Sequence, residues 1–159
     1  MPGRYVSGAK PAAWAEIDRS APRLTVSRRL DDGSDAVHAA RAYLRELLPN
    51  WTGGDVATTN AALDTAHELV TNAVQHGSPP LILTLEATPM SLFVAVRDGS
   101  RARAVKKPYR AGVSDSGLGL HLVSGLSQQW GQEVDEDGKT VWAHISRRRT
   151  GDRGLWRDL

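Results

Sequence analysis

The sequence predicts an α+β fold: a two-layer α/β sandwich with helices on one face of a mostly antiparallel sheet. Three observations point there. Residues 35–48 and 56–76 repeat apolar side chains at the three-to-four spacing of a helix face. Two pairs of short apolar runs, 81–87 with 90–97 and 133–137 with 140–146, are each joined by a turn, as antiparallel hairpins are. A parallel nucleotide-binding unit does not fit. Gly117 and Gly119 follow a loop rather than a βα turn, and no Gly-x-x-x-x-Gly-Lys-Ser/Thr occurs. The order β α α β β, loop, α β β then places the helices together over one sheet.

Taken in order, residues 1–22 are rich in Ala, Pro, Gly and Ser without a period, and are expected to form a loose arm. Leu24, Val26 and Leu30 suggest a first strand. A turn at 31–34 follows, with Ser34 or Asp35 able to cap a helix over 35–48. Residues 49–54, opened by Pro49, are expected to be a loop, and Asp55 to cap the next helix. That helix buries Ala62, Ala66, Leu69 and Ala73. It is expected to end at Gly77 in a left-handed conformation, with Pro79 and Pro80 barring continuation. After the first hairpin, residues 101–115 lack periodicity and contain Pro108 and Gly112. A loop of that length in a small domain tends to be functional. A helix over 119–130 and a closing hairpin around Asp137-Gly138 complete the domain. The expected organisation is an arm (1–22), a domain (23–146) and a basic tail (147–159).

Composition narrows the function. A chain of 159 residues with 40% hydrophobic and 24% charged residues has the make-up of one globular domain. The absence of cysteine removes disulfides, thiolate metal sites and cysteine nucleophiles. No stretch approaches the roughly 20 apolar residues of a membrane span, and the N-terminus lacks a signal-type apolar core, so a cytoplasmic location is expected. The net charge of +2 hides a segregation. Arg101, Arg103, Lys106, Lys107 and Arg110 crowd the long loop, five arginines crowd the tail, and the rest of the chain is acidic. No basic motif interleaved with aromatics supports nucleic-acid binding, so the basic loop beside Gly117 suits a polyphosphate better.

Three stretches carry the chemistry. Glu68-Leu69-Val70-Thr71-Asn72-Ala73-Val74-Gln75-His76-Gly77 places a carboxylate and a carboxamide one helical turn apart on one side. Taken alone, that pair reads as two solvated polar positions. Leu92-Phe93-Val94-Ala95-Val96-Arg97-Asp98-Gly99-Ser100 is an apolar run ending in Asp-Gly, and Ser116-Gly117-Leu118-Gly119-Leu120-His121-Leu122-Val123 is a Gly-x-Gly opening a helix. As an ordered set they resemble the N, G1 and G2 boxes of the GHKL ATPase superfamily, which includes gyrase, Hsp90, histidine-kinase catalytic domains and MutL. The wording of residues 68–77 looks most like the RsbW/SpoIIAB-type anti-sigma-factor serine/threonine kinases. The resemblance covers residues 24–145.

The resemblance implies ATP and Mg2+ as cofactors and phosphoryl transfer to a serine or threonine of an anti-anti-sigma partner. It also implies sequestration of a sigma factor, leaves a homodimer open, and calls for neither membrane nor direct nucleic-acid contact. It assigns Glu68 as catalytic base, and Asn72 to magnesium and nucleotide. It assigns Asp98 and Gly99 to the base pocket, residues 117–120 (Gly117, Leu118, Gly119, Leu120) to the phosphates, and Thr140 to the adenine end. An acceptor-only carboxylate suits the exocyclic amine of adenine, and magnesium suits an oxygen of Asn72. His76 is expected to be structural. One departure stands out: Asp98-Gly99-Ser100-Arg101 lacks the superfamily's second glycine, which implies a reshaped pocket floor. The alternative is a catalytically weak or inactive ATP-binding module that acts by protein contact alone.

Overall fold

The computed structural model describes residues 4–7, 24–30, 33, 35–52, 55–88, 91–104 and 119–146. Strands β1 (Arg4–Ser7) and β2 (Leu24–Leu30) are followed by helices α1 (Asp35–Thr52) and α2 (Val56–His76). Next come β3 (Leu81–Ala87), β4 (Ser91–Asp98), helix α3 (Gly119–Leu126), β5 (Gln129–Val134) and β6 (Lys139–Ser146). The six strands form one sheet in the order β1-β5-β6-β4-β3-β2. Every pairing is antiparallel except β1 with β5. The two-layer α+β architecture is the one expected.

Alternation explains the layering. Leu81, Leu83, Leu85 and Ala87 of β3, Leu92, Val94 and Val96 of β4, and Val141, Ala143 and Ile145 of β6 share one core with the helices. From α1 that core receives Ala36, Ala40, Leu44 and Leu48, and from α2 Ala62, Ala66, Leu69, Val70 and Ala73. Each fully buried leucine or valine contributes roughly 1.5–3 kcal/mol against exposure. The alternate positions Phe93, Ala95 and Trp142 face away, where Phe93 stacks on Trp142 at 5.9 Å in a second, smaller cluster with Ala95. Both faces of the central strands are therefore buried.

Five local expectations are corrected. Residues 4–7, assigned to a loose arm, pair with β5 at the edge of the sheet. Helix α1 does not stop before Pro49 but runs through it to Thr52. Leu44, Leu48 and Thr52 continue one buried stripe at four-residue spacing, and Thr52 Oγ1 meets Thr59 Oγ1 at 2.7 Å, so packing outweighs the lost hydrogen bond. Gly77 is extended (φ −101°, ψ −166°) rather than left-handed; its N–H closes α2 on the Ala73 carbonyl at 2.9 Å. Helix α3 ends at Leu126, where the Ser127 hydroxyl donates to the Val123 carbonyl at 2.6 Å. Strand β5 accordingly starts at Gln129 rather than at residue 133, because Trp130 is buried in the sheet core.

Other expectations hold. Asp55 caps α2, its Oδ1 accepting from the Ala57 N–H at 3.1 Å. The β5–β6 turn is closed by the Asp135 N–H on the Gly138 carbonyl at 2.9 Å, with Gly138 at φ +156°, a region suited to glycine. Among the described residues no helix is long and apolar enough to cross a membrane.

Candidate functional site

Helix α2 lays out the site along its last turns. Glu68 and Asn72 stand one turn apart, about 6 Å along the axis, and Gly77 ends the helix on Asp98. Glu68 is half-buried, and its carboxylate rests on the first residue of α3. A Cβ on Gly119 would come within 2.6 Å of Glu68 Oε2. The glycine is what lets the carboxylate lie there, where a helix start presents free amide N–H groups. Asn72 is also half-buried, and its Nδ2 is buried with no hydrogen-bond partner among the described residues. A buried amide without a partner is costly to leave so, and it marks a place where a polar group belongs. Gly117 and Leu118 lie outside the described residues. Leu120 is buried in the main core rather than turned to a ligand.

The Asp98 end is built by the sheet. Asp98 closes β4, 2% exposed, directly opposite Lys139, the first residue of β6. Antiparallel partners point to the same face, here the face of Val96 and Val141 in the helix-covered core. Lys139 Nζ lies 2.9 Å from Asp98 Oδ2 and 3.2 Å from Oδ1, and Oδ1 also accepts the Ser100 N–H at 2.7 Å. A Cβ on Gly77 would stand 2.5 Å from Asp98 Cγ, so this glycine is required by close approach, not by its φ. Gly99 donates its N–H to the Ser78 carbonyl at 2.6 Å, and a Cβ there would run into the Pro79 carbonyl oxygen.

Thr140 is not brought to this end, contrary to expectation. It pairs with Arg97 in the ladder, on the opposite face from Asp98. There the Arg97 guanidinium donates to Thr140 Oγ1 at 3.4 Å and grips Asp135 with two bonds of 2.7 and 2.8 Å. The Arg97 bonds hold the Asp135 carboxyl down at about 2. His76 is exposed at the end of α2.

Two residues escaped the sequence reasoning. Lys139 shares the inward phase of Val141, Ala143 and Ile145, so a lysine on the apolar side of the last strand was the available signal. Gln132 anchors the start of the long loop: its side-chain amide both accepts from the Ala104 N–H and donates to the Ala104 carbonyl, each at 2.8 Å. No spacing in the sequence announces that contact. The loop's residues 105–118 lie outside the described residues.

Fit to a magnesium nucleotide divides between the two ends. At Glu68 and Asn72 it is good: the Glu68 carboxylate lies against a helix start, and one turn along stands a carboxamide whose Nδ2 has no partner among the described residues. At Asp98 it is poor, because the carboxylate that would receive a base amine is already held by an ammonium.

No curated protein matches significantly. The fold is similar to the crystal structure of the RsbU and RsbW domains of Rv1364c from Mycobacterium tuberculosis. The TM-score is 0.58 at 22% identity, over 79% of this chain and 32% of that one, so the match spans about a third of that chain. The model of the histidine kinase-like ATPase domain matches residues 32–145, a span that takes in α1 and reaches Ile145 of β6. The chain therefore belongs to the histidine kinase-like ATPase domain family.

Proposed function

We propose that the chain is an ATP-dependent regulatory protein of the anti-sigma-kinase type. It binds Mg-ATP, phosphorylates a serine or threonine of a small anti-anti-sigma partner, and in the alternate state holds a sigma factor, all in the cytoplasm. The nucleotide-binding unit is residues 23–146. The observation that carries this is the seating of the Glu68 carboxylate against Gly119 at the start of α3, with Asn72 one turn on.

Bound Mg-ATP supplies the transferable phosphoryl group. Such transfer asks the protein for positioning and charge rather than covalent help. Glu68 accepts the proton of the attacking hydroxyl. The side-chain oxygen of Asn72 would help to hold the magnesium, an ion that takes few ligands from protein. Arg101 and Arg103, both exposed, sit where the basic loop leaves β4 and add positive charge near the phosphates. The test is transfer of labelled γ-phosphate from ATP to small candidate antagonists encoded beside this chain. Transfer by the wild type that is lost in Glu68→Gln supports the proposal, and partner binding without any transfer refutes the kinase.

A second reading has its own support. The Lys139–Asp98 pair, 1% exposed on each side, favours a module with weak nucleotide affinity that acts by protein contact. Partner affinity independent of ATP would select it.

A further inference from the structure

A lysine is almost never fully buried unless paired, and Lys139 is fully buried. Its Nζ divides between both carboxylate oxygens of Asp98 at 2.9 and 3.2 Å. The arrangement is held from several sides. The Gly77 backbone abuts the carboxylate, Ser100 donates into Oδ1 at 2.7 Å, and a Cβ on Gly138 would run into the Asp98 carbonyl oxygen. The carboxylate is thus hemmed in by the Gly77 backbone and tied by the Ser100 N–H. An ammonium has donors only. Placed across both oxygens, it meets an incoming base amine donor to donor, positive charge to partial positive charge.

We propose that Lys139 is the specificity-determining residue of the nucleotide site: it occupies Asp98 and so abolishes selection of a purine by its exocyclic amine. This rests on the reading of the α2–α3 region as a nucleotide site. Affinity is then carried by the triphosphate end, at Asn72 and the start of α3, and is tolerant of the base. An ammonium at that position donates to a carbonyl at the purine 6-position, so a carbonyl is tolerated there at least as well as an amine. Opening the pair by substitution restores an acceptor and with it a preference for adenine.

The test compares Mg-ATP with Mg-ITP, which carries a carbonyl where ATP carries the amine. Calorimetry is run on the wild type, on Lys139→Thr, and on the double variant Asp98→Asn/Lys139→Met, with thermal melts to establish folding. The wild type is expected to bind the two nucleotides within about threefold, and Lys139→Thr to favour ATP over ITP by at least about tenfold, the worth of one charge-assisted bond. Lys139→Thr should also bind ATP at least about tenfold more tightly than the wild type. If Lys139→Thr does not fold, the double variant answers. Removing both charges of a buried pair is far milder than removing one, the carboxamide oxygen still accepts from an amine, and ATP should bind more tightly than to the wild type. A wild type that already prefers ATP about tenfold or more, or a folded Lys139 variant with unchanged ATP affinity beside a wild type that binds, overturns the role of Lys139 and leaves the nucleotide site standing. Folded proteins that bind no triphosphate, variants included, overturn both.

Discussion

Replacing Lys139 by methionine tests the Lys139–Asp98 pair by its energetics. Methionine keeps the length and apolar stem of lysine and removes the ammonium. Asp98 is then left 2% exposed with the Ser100 N–H as its remaining bond from the pair's surroundings. Removing one partner of a buried pair costs about 3–5 kcal/mol. The retained stem packs as before, so the low end, about 3 kcal/mol, is expected. In a domain of this size that lowers the melting midpoint by about 10 °C. It leaves the chain folded, given a typical total stability of about 5–15 kcal/mol. Asp98→Asn/Lys139→Met removes both charges and should come within about 1 kcal/mol of the wild type. Urea unfolding followed by circular dichroism, with an unchanged slope across variants, measures both. A single variant that costs less than about 1 kcal/mol, or a double variant as damaged as the single one, refutes a tight buried pair.

Three further outcomes are expected. Glu68→Gln should lower phosphate transfer about 10²–10⁴-fold while leaving nucleotide affinity nearly unchanged; a parallel loss of affinity would mean the carboxylate binds rather than catalyses. Gly119→Ala places a Cβ 2.6 Å from Glu68 Oε2, the far end of a flexible side chain. Transfer should therefore fall with little change in the urea midpoint, and an unaffected rate would remove Gly119 from the seating of Glu68. Burial pushes His144 below its ordinary value of 6.5, and its Nε2 meets the Ser91 hydroxyl at 2.7 Å. The folded chain binds fewer protons there than the unfolded one, so this contribution is complete above about pH 6.5 and is lost as pH falls through the folded value. Urea midpoints at pH 7.5 and pH 5 should differ less in His144→Gln than in the wild type, and equal differences would exclude His144 as a source.

The legible parts of the fold were those whose signals are local. Helix α2 shows its period, Asp55 announces the cap, and Asp137-Gly138 announces the last turn. What escaped depends on distant neighbours. Gly77 was read as a conformational stop, yet its need comes from Asp98, which the sheet brings against it. Pro49 looked like a breaker, but the buried stripe of α1 continues past it to Thr52. Strand β1 pairs in parallel with β5, more than a hundred residues away, and no period in four residues foretells that. Assigning Thr140 to the adenine end slipped by one residue, and in a strand one residue is the other face. The inward position belongs to Lys139. Glu68 and Gly119 were legible as parts of separate boxes, while their contact, like the charge pairing that closes the Asp98 end, was legible only from the fold.

The most direct measurement of the central claim is a calorimetric titration of the 159-residue chain with Mg-ATP, beside Asn72→Ala. Saturable binding is expected in the wild type, weakened at least about fivefold when the Asn72 oxygen is removed, and dependent on magnesium in the wild type. A folded wild type that shows no binding, or an Asn72→Ala variant that binds as tightly as the wild type with magnesium present, would contradict a nucleotide site built on the end of α2.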